Sequence, residues 1–165
     1  MRDIILVAHN LRSCHNVGSL LRTAEGLGVQ KVILSGYTPH GTHSNDRRLP
    51  HEIAKITNQI HKTALGAEHS IPWDYHHEIL PVMAKLKEEG WAIAALEQAE
   101  DARELPKYHP PHKVVLIVGR EVEGLEPEVL AVCDTVLEIP MYGRKESFNV
   151  AQAAAMALFH CRFVR

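Results

Sequence analysis

Short aliphatic runs alternate with amphipathic stretches along most of the chain. Residues 4–7 and 31–34 read as buried strands, and between them Val17, Leu20, Leu21, Ala24 and Leu27 recur at helical spacing, which predicts a β-α-β opening. Asn16 is placed to cap that helix and Gly28 to end it in a left-handed conformation. Residues 36–50 have no periodic core and are rich in Gly, Pro, Thr, Ser, Asn and charge, so they are expected as a surface loop that a partner can order. Residues 51–65 permit one or two short helices, and 71–75 a strand with Pro72 at its edge. Residues 78–89 predict a helix kinked or entered at Pro81 and stopped by Gly90, after which 91–96 return as a strand.

The clearest strand is 114–118, five consecutive aliphatic residues closed by Gly119, as expected where both faces of a parallel sheet are covered. A short helix over 126–131 has Pro127 near its first turn, 135–139 form a further strand, and 140–148 a loop. The alanine-rich stretch 149–164 predicts a last helix opened by Asn149. The alternation points to an α/β fold, a mostly parallel sheet flanked by helices.

A chain of 165 residues with 45% hydrophobic content suits a single domain over 1–165. No apolar stretch approaches the ~18 residues needed to cross a bilayer, so a soluble, cytoplasmic protein is expected. Cys14, Cys133 and Cys161 show no metal-like or redox-like pairing and are expected as reduced structural thiols. Seven of the histidines fall at 40, 43, 51, 61, 69, 76 and 77, but without a spacing that marks a zinc site. Net charge is −2 overall, yet it divides into +4 over residues 1–62, −5 over 63–108 and −1 over 109–165. The first third therefore holds the positive charge that can face phosphates, although a solvated face accounts for the same asymmetry.

Ligands of open α/β sheets gather at the carboxyl ends of strands, which singles out the loops after Leu96, Val118 and Ile139. Gly119-Arg120-Glu121-Val122-Glu123-Gly124-Leu125 combines glycine, which lets a ligand approach the backbone, with carboxylates that accept hydrogen bonds. An ordinary strand-to-helix turn has the same composition. Neither G-x-G-x-x-G nor G-x-x-x-x-G-K-[ST] occurs, which speaks against a dinucleotide oxidoreductase and a P-loop nucleotidase. Ile139-Pro140-Met141-Tyr142-Gly143 and Ser147-Phe148-Asn149 can recognise an adenine edge and hold the amino-acid end of a ligand, and a strand end followed by a helix cap explains them equally. Arg22 lies beside Leu20, Leu21 and Ala24, near an apolar face, where an arginine finds an anion or carboxylate, or snorkels.

Taken in order, three segments resemble the motifs of the SpoU (TrmH) family of tRNA/rRNA ribose 2'-O-methyltransferases, within the SPOUT superfamily. They are Asn16-Val17-Gly18-Ser19-Leu20-Leu21-Arg22-Thr23-Ala24, then Val118-Gly119-Arg120-Glu121-Val122-Glu123-Gly124-Leu125, then Ile139-Pro140-Met141 with Ser147-Phe148-Asn149-Val150-Ala151. The resemblance implies a C-terminal deep trefoil knot, an exception to the usual absence of knots, a homodimer, and S-adenosyl-L-methionine bent within the knot. It implies cofactor contacts, largely through backbone, at Leu96, Gly119, Ile139, Met141, Ser147 and Phe148, and a polar centre of Asn16, Arg22, Glu121, Ser147 and Asn149. The implied activity is methyl transfer to a ribose 2'-hydroxyl of tRNA or rRNA, with tRNA slightly favoured.

Attack of a ribose oxygen on a sulfonium methyl requires in-line alignment and stabilisation of a developing alkoxide. A guanidinium with a pKa above ~12 is a poor base. Arg22 is therefore expected to hold the adjacent phosphate and stabilise the alkoxide, with Glu121 and Asn149 positioning the loop, the hydroxyl or Arg22. No metal is required. Ala151 departs from the serine of many relatives, which puts the local network there in question. RNA contacts are expected at Arg47 and Arg48. The same residues leave open an RNA-binding assembly factor without chemistry, a small-molecule methyltransferase, and a metal-binding regulator built on the histidines. Intact Arg22, Glu121 and Asn149 argue against the first of these.

Overall fold

The computed structural model describes residues 1–164. Strand β1 (Asp3–His9) leads through α1 (Cys14–Gly26) to β2 (Lys31–Ser35), and α2 (Pro50–Ala64) and α3 (Ala67–Ser70) precede β3 (Trp73–His76). Then follow α4 (Leu80–Glu88), β4 (Ala92–Leu96), β5 (Arg103–Glu104) and β6 (Lys113–Val118), with a 3-10 turn (Leu105–Lys107) before β6. Helix α5 (Pro127–Ala131), β7 (Thr135–Glu138) and α6 (Val150–Phe163) complete the chain. The strands form one sheet in the order β3-β2-β1-β6-β4-β7-β5, with every pairing parallel. Strand β4 thus lies between β6 and β7 although it precedes both in sequence.

The unbroken aliphatic runs follow from burial on both faces of this sheet. Along β1, Ile4, Leu6 and Ala8 join the layer formed with α1, α2 and α6, while Ile5 and Val7 join the layer beneath α4 and α5. Strand β6 divides in the same way, with Val114, Leu116 and Val118 on one side and Val115 and Ile117 on the other. Each such aliphatic side chain contributes roughly 1.5–3 kcal/mol on burial. Ala151 belongs to the first layer, so a small side chain there serves the packing of α6 on the sheet.

Two helix starts show how local chemistry places the first and last motifs. Ser13, not Asn16, caps α1: the Ser13 hydroxyl accepts the Asn16 N–H at 3.2 Å, which leaves the Asn16 side chain free to point elsewhere. The expectation that Asn16 caps this helix is thereby corrected: the helix starts earlier, at Cys14, and the cap falls one residue before it. At the other end Gly28 takes φ +63°, as expected. Helix α6 is capped as predicted, with Asn149 Oδ1 accepting the Ala151 N–H at 2.9 Å and the Gln152 N–H at 3.4 Å. Within α1, Gly18 permits the close approach of α2, since a Cβ there would lie 2.2 Å from the Ile60 carbonyl oxygen.

The middle of the chain departs furthest from its pattern. Of residues 51–65, where one or two short helices were expected, 51–64 form most of one 15-residue helix, and Leu65 at φ +52° separates it from α3. Pro72 falls outside β3, and Pro81 enters α4 at its first turn rather than kinking it. The short β5 and the 3-10 turn carry no apolar period and were not expected. The 36–49 loop is fastened internally: Arg48 donates to Asp46 and to the carbonyls of His40 and Gly41, and His40 stacks on Tyr75 with ring centroids 3.9 Å apart.

Candidate active site

The carboxyl ends of β4, β6 and β7 open into a cavity of about 630 Å³, partly continuous with solvent. Its walls include Leu96, Gly119, Ile139, Met141, Ser147 and Phe148, all six positions at which cofactor contacts were expected. Apolar strand ends from Val118 and Leu137 lie beside the carboxylate-bearing Glu97, Glu121 and Glu138.

A chain of side-chain hydrogen bonds joins the three motif segments at this cavity. Asn149 Nδ2 donates to Asn16 Oδ1 at 3.1 Å, and Asn16 Nδ2 donates to Glu121 Oε1 at 3.1 Å. The Arg12 backbone N–H reaches Glu121 Oε2 at 3.4 Å. Residues separated by more than a hundred positions are thereby held together at the start of α1, the start of α6 and the turn after β6.

Glu97 and Gln98, just beyond β4, were missed by the sequence reading. Glu97 Oε2 accepts the Leu125 N–H at 3.0 Å and Oε1 accepts the Gln98 N–H at 3.0 Å. Gln98 Nε2 in turn donates to the Glu146 carbonyl. These two residues fasten the second-motif turn to the third-motif loop. A carboxylate placed immediately after a predicted strand end was the available signal. Gly124 shows why the turn needs glycine: its φ is +69°, and a Cβ there would lie 2.1 Å from Glu97 Oε2.

Behind the turn, a second polar group fixes the start of α5. Asn10 Nδ2 donates to Glu126 Oε1 at 2.8 Å, and His9 Nε2 lies 3.2 Å from Glu126 Oε2. Burial pushes the His9 imidazole below its usual pKa, partly offset by Glu126. Burial opposes the charge of Glu126, but its own backbone N–H, Asn10, His9 and Arg120 hold the carboxyl below the ordinary range.

The structure separates Arg22 from this group. Arg22 is exposed on α1, does not line the cavity, and makes no hydrogen bond or ion pair among the described residues. Six residues beyond Asn16, it sits about 9 Å further along the helix and about 120° around it. The apolar neighbours in sequence, Leu20 and Leu21, turn inward while Arg22 turns out. Arg47 is exposed, whereas the Arg48 donors serve the loop. Two groups bring metal-ligating atoms within 4.8 Å of one another, His40–His43–Asp46 and His61–Glu68–His69. In the first, Asp46 already pairs with Arg48, and that guanidinium holds its carboxyl well below the usual range. In the second, Glu68 pairs with His61. The thiols of Cys133 and Cys161 are pushed up to about 11 by burial, which keeps them protonated.

Residues 3–159 match the model of the SpoU rRNA Methylase family. The chain is 29% identical over 157 residues to the 23S rRNA (guanosine-2'-O-)-methyltransferase RlmB of Ralstonia nicotianae, covering 94% of this chain and 57% of that protein. It is 27% identical over 164 residues to the tRNA (guanosine(18)-2'-O)-methyltransferase of Aquifex aeolicus, covering 98% of this chain and 69% of that one. The chain thus spans little more than half the length of the first relative and about two thirds of the second. The crystal structure of an AdoMet-bound rRNA methyltransferase from Sinorhizobium meliloti shares the fold, with a TM-score of 0.79 at 22% identity, covering 97% of this chain and 56% of that one.

Proposed function

Because the chain belongs to the SpoU rRNA Methylase family, we propose that it is an S-adenosyl-L-methionine-dependent RNA methyltransferase acting on a ribose 2'-hydroxyl. The observation that carries this reading is the hydrogen-bonded chain Asn149–Asn16–Glu121, one residue from each motif, beside the cavity at the strand ends. One named relative acts on 23S rRNA and another on tRNA. Both are substrates for this reading, with tRNA the first to test.

The cavity fits the cofactor by the chemistry of its walls. Leu96, Leu137 and Ile139 offer apolar surface to a flat base, and Glu97, Glu121 and Glu138 bring negative charge near a sulfonium cation. S-adenosylmethionine supplies an electrophilic methyl group when bound. The protein's part is alignment and electrostatics. The Asn16 and Asn149 amides and the Glu121 carboxylate orient the ribose hydroxyl. Arg22, always a cation, holds the neighbouring phosphate and stabilises the alkoxide, and the proton leaves to phosphate or water.

Since Arg22 lies away from the cavity of its own chain, this role requires a second copy. A homodimer supplies Arg22 of one protomer to the cavity of the other. An exposed apolar strip on α6 supports association: Met156, Phe159 and Phe163 share one face, beside Leu105 and Pro106. Family membership also implies that the single domain over 1–165 carries the trefoil knot near its C-terminus. No helix among the described residues is long and apolar enough to cross a membrane, and a cytoplasmic site of action belongs to the proposal.

The test offers purified protein methyl-labelled cofactor together with unmodified tRNA, rRNA and a metabolite extract. Label in RNA that protects one phosphodiester from alkaline hydrolysis is the expected result. Label confined to small molecules, or no transfer with no cofactor binding, overturns the reading.

A further inference from the structure

The third-motif loop carries a cluster that the cavity does not use. Tyr142 is 96% exposed, and Gly143, Arg144, Lys145 and Glu146 beside it are exposed as well. The base of the loop is fixed on both sides. Met141, Ser147 and Phe148 line the cavity, Gln98 holds the Glu146 carbonyl, and Asn149 caps α6. Its tip contributes nothing to the core, and Arg144 and Lys145 make no hydrogen bond or ion pair among the described residues. An aromatic ring and two free cations therefore project from a fixed support at the cavity rim.

We infer that this loop grips single-stranded RNA beside the methylation site, with Tyr142 stacking on an unpaired base and Arg144 and Lys145 holding adjacent phosphates. The inference rests on the methyltransferase reading and adds a substrate-binding surface to it. Sequence-specific RNA recognition targets unpaired bases that stack on aromatic rings, and cations beside the ring follow the backbone. A protein partner is a poorer match, because Tyr142 has charged neighbours and glycine rather than an apolar surround. The apolar strip of α6, with Phe159 and Phe163 at ring centroids 4.7 Å apart, has the opposite character. Continuity with the cavity makes the placement useful: a base held at Tyr142 brings its own sugar-phosphate backbone to the rim.

The experiment measures binding of end-labelled unfractionated tRNA to full-length protein across a salt series, alongside cofactor affinity by calorimetry and oligomeric state by sedimentation. Tyr142→Ala is expected to weaken RNA binding roughly 5- to 150-fold, and Tyr142→Phe to retain it. The double change Arg144→Gln with Lys145→Gln is expected to lower the slope of log affinity against log salt by about 1.4 to 1.8, the effect of two lost phosphate contacts. Cofactor affinity stays at the wild-type value in all variants. RNA binding and salt slope equal to wild type overturn the inference. A fall in cofactor affinity, or dissociation of the oligomer by Tyr142→Ala, also overturns it by assigning the loop to the cavity wall or a subunit contact. If wild-type protein neither binds the cofactor nor methylates RNA, the underlying reading fails; if it methylates and the variants match it, only this inference fails.

Discussion

Gly124 meets two independent demands, a left-handed φ and the approach of Glu97, that together make any side chain there expensive. An L-residue in that conformation costs roughly 1–2 kcal/mol, and displacing Glu97 gives up its hydrogen bond to Leu125, worth about 1 kcal/mol. Gly124→Ala is therefore expected to lower Tm by roughly 5–10 °C and to weaken cofactor binding, read by thermal melting and calorimetry. A melt equal to wild type would show that the turn does not depend on the Glu97 contact. Burial lowers the pKa of His9 and of His40, so the fold resists protons that the unfolded chain takes up below about pH 6.5. The unfolded state then binds more protons, and stability is full above that pH and falls as pH drops through it. Thermal melts from pH 7.5 to 5 should show a declining Tm that flattens in His9→Gln, and a pH-independent Tm in wild type would contradict the buried neutral imidazole.

At the scale of elements, one residue can serve a helix and the site at once. Asn149 caps α6 with its oxygen and joins the polar chain with its nitrogen. Aspartate caps as well as asparagine does, but cannot donate to Asn16. Asn149→Asp is thus expected to change stability by less than about 1 kcal/mol while turnover falls at least about tenfold, the equivalent of ~1.4 kcal/mol. Wild-type turnover in Asn149→Asp, with stability lost only in Asn149→Ala, would leave only the capping role. Elements with a strong period were legible in the sequence: β1, β6, α1 and α6 lie close to where the hydrophobic pattern places them. The β5 segment and the α2–α3 break were not, because a two-residue strand has no period and a turn at Leu65 looks like continued helix. The cap expected at Asn16 falls instead at Ser13, and the Asn16 side chain hydrogen-bonds Glu121, a contact that helical spacing does not report.

For the whole molecule, the decisive matter is how many chains build one site. Asn16, Glu121 and Asn149 meet within one chain, and Arg22 does not join them. If two subunits share each site, Arg22→Ala and Asn149→Ala should each be nearly inactive, yet a refolded equal mixture should recover turnover. The expected recovery is about a quarter of wild type, since half of randomly paired dimers are mixed and each holds one intact site. No recovery, with mixed dimers confirmed by tagging, would place Arg22 with its own chain's cavity.

The alternation of aliphatic runs and helical periods determined the α/β class by itself, because burial on two faces of a parallel sheet imposes that pattern on each strand directly. The six expected cavity positions came from the resemblance of the motifs to the SpoU (TrmH) family, and all six line the cavity at the carboxyl ends of β4, β6 and β7. Tertiary structure alone decided which polar side chains meet. Glu97 reaches Leu125, Asn16 bridges Glu121 and Asn149, Arg48 is bound within its loop, and Arg22 turns outward. Periodicity reports which face of an element is buried, and partners between distant segments depend on the order in which the strands assemble. The position of β4 between β6 and β7 brings all three loops to one cavity, and no local pattern in the sequence encodes it.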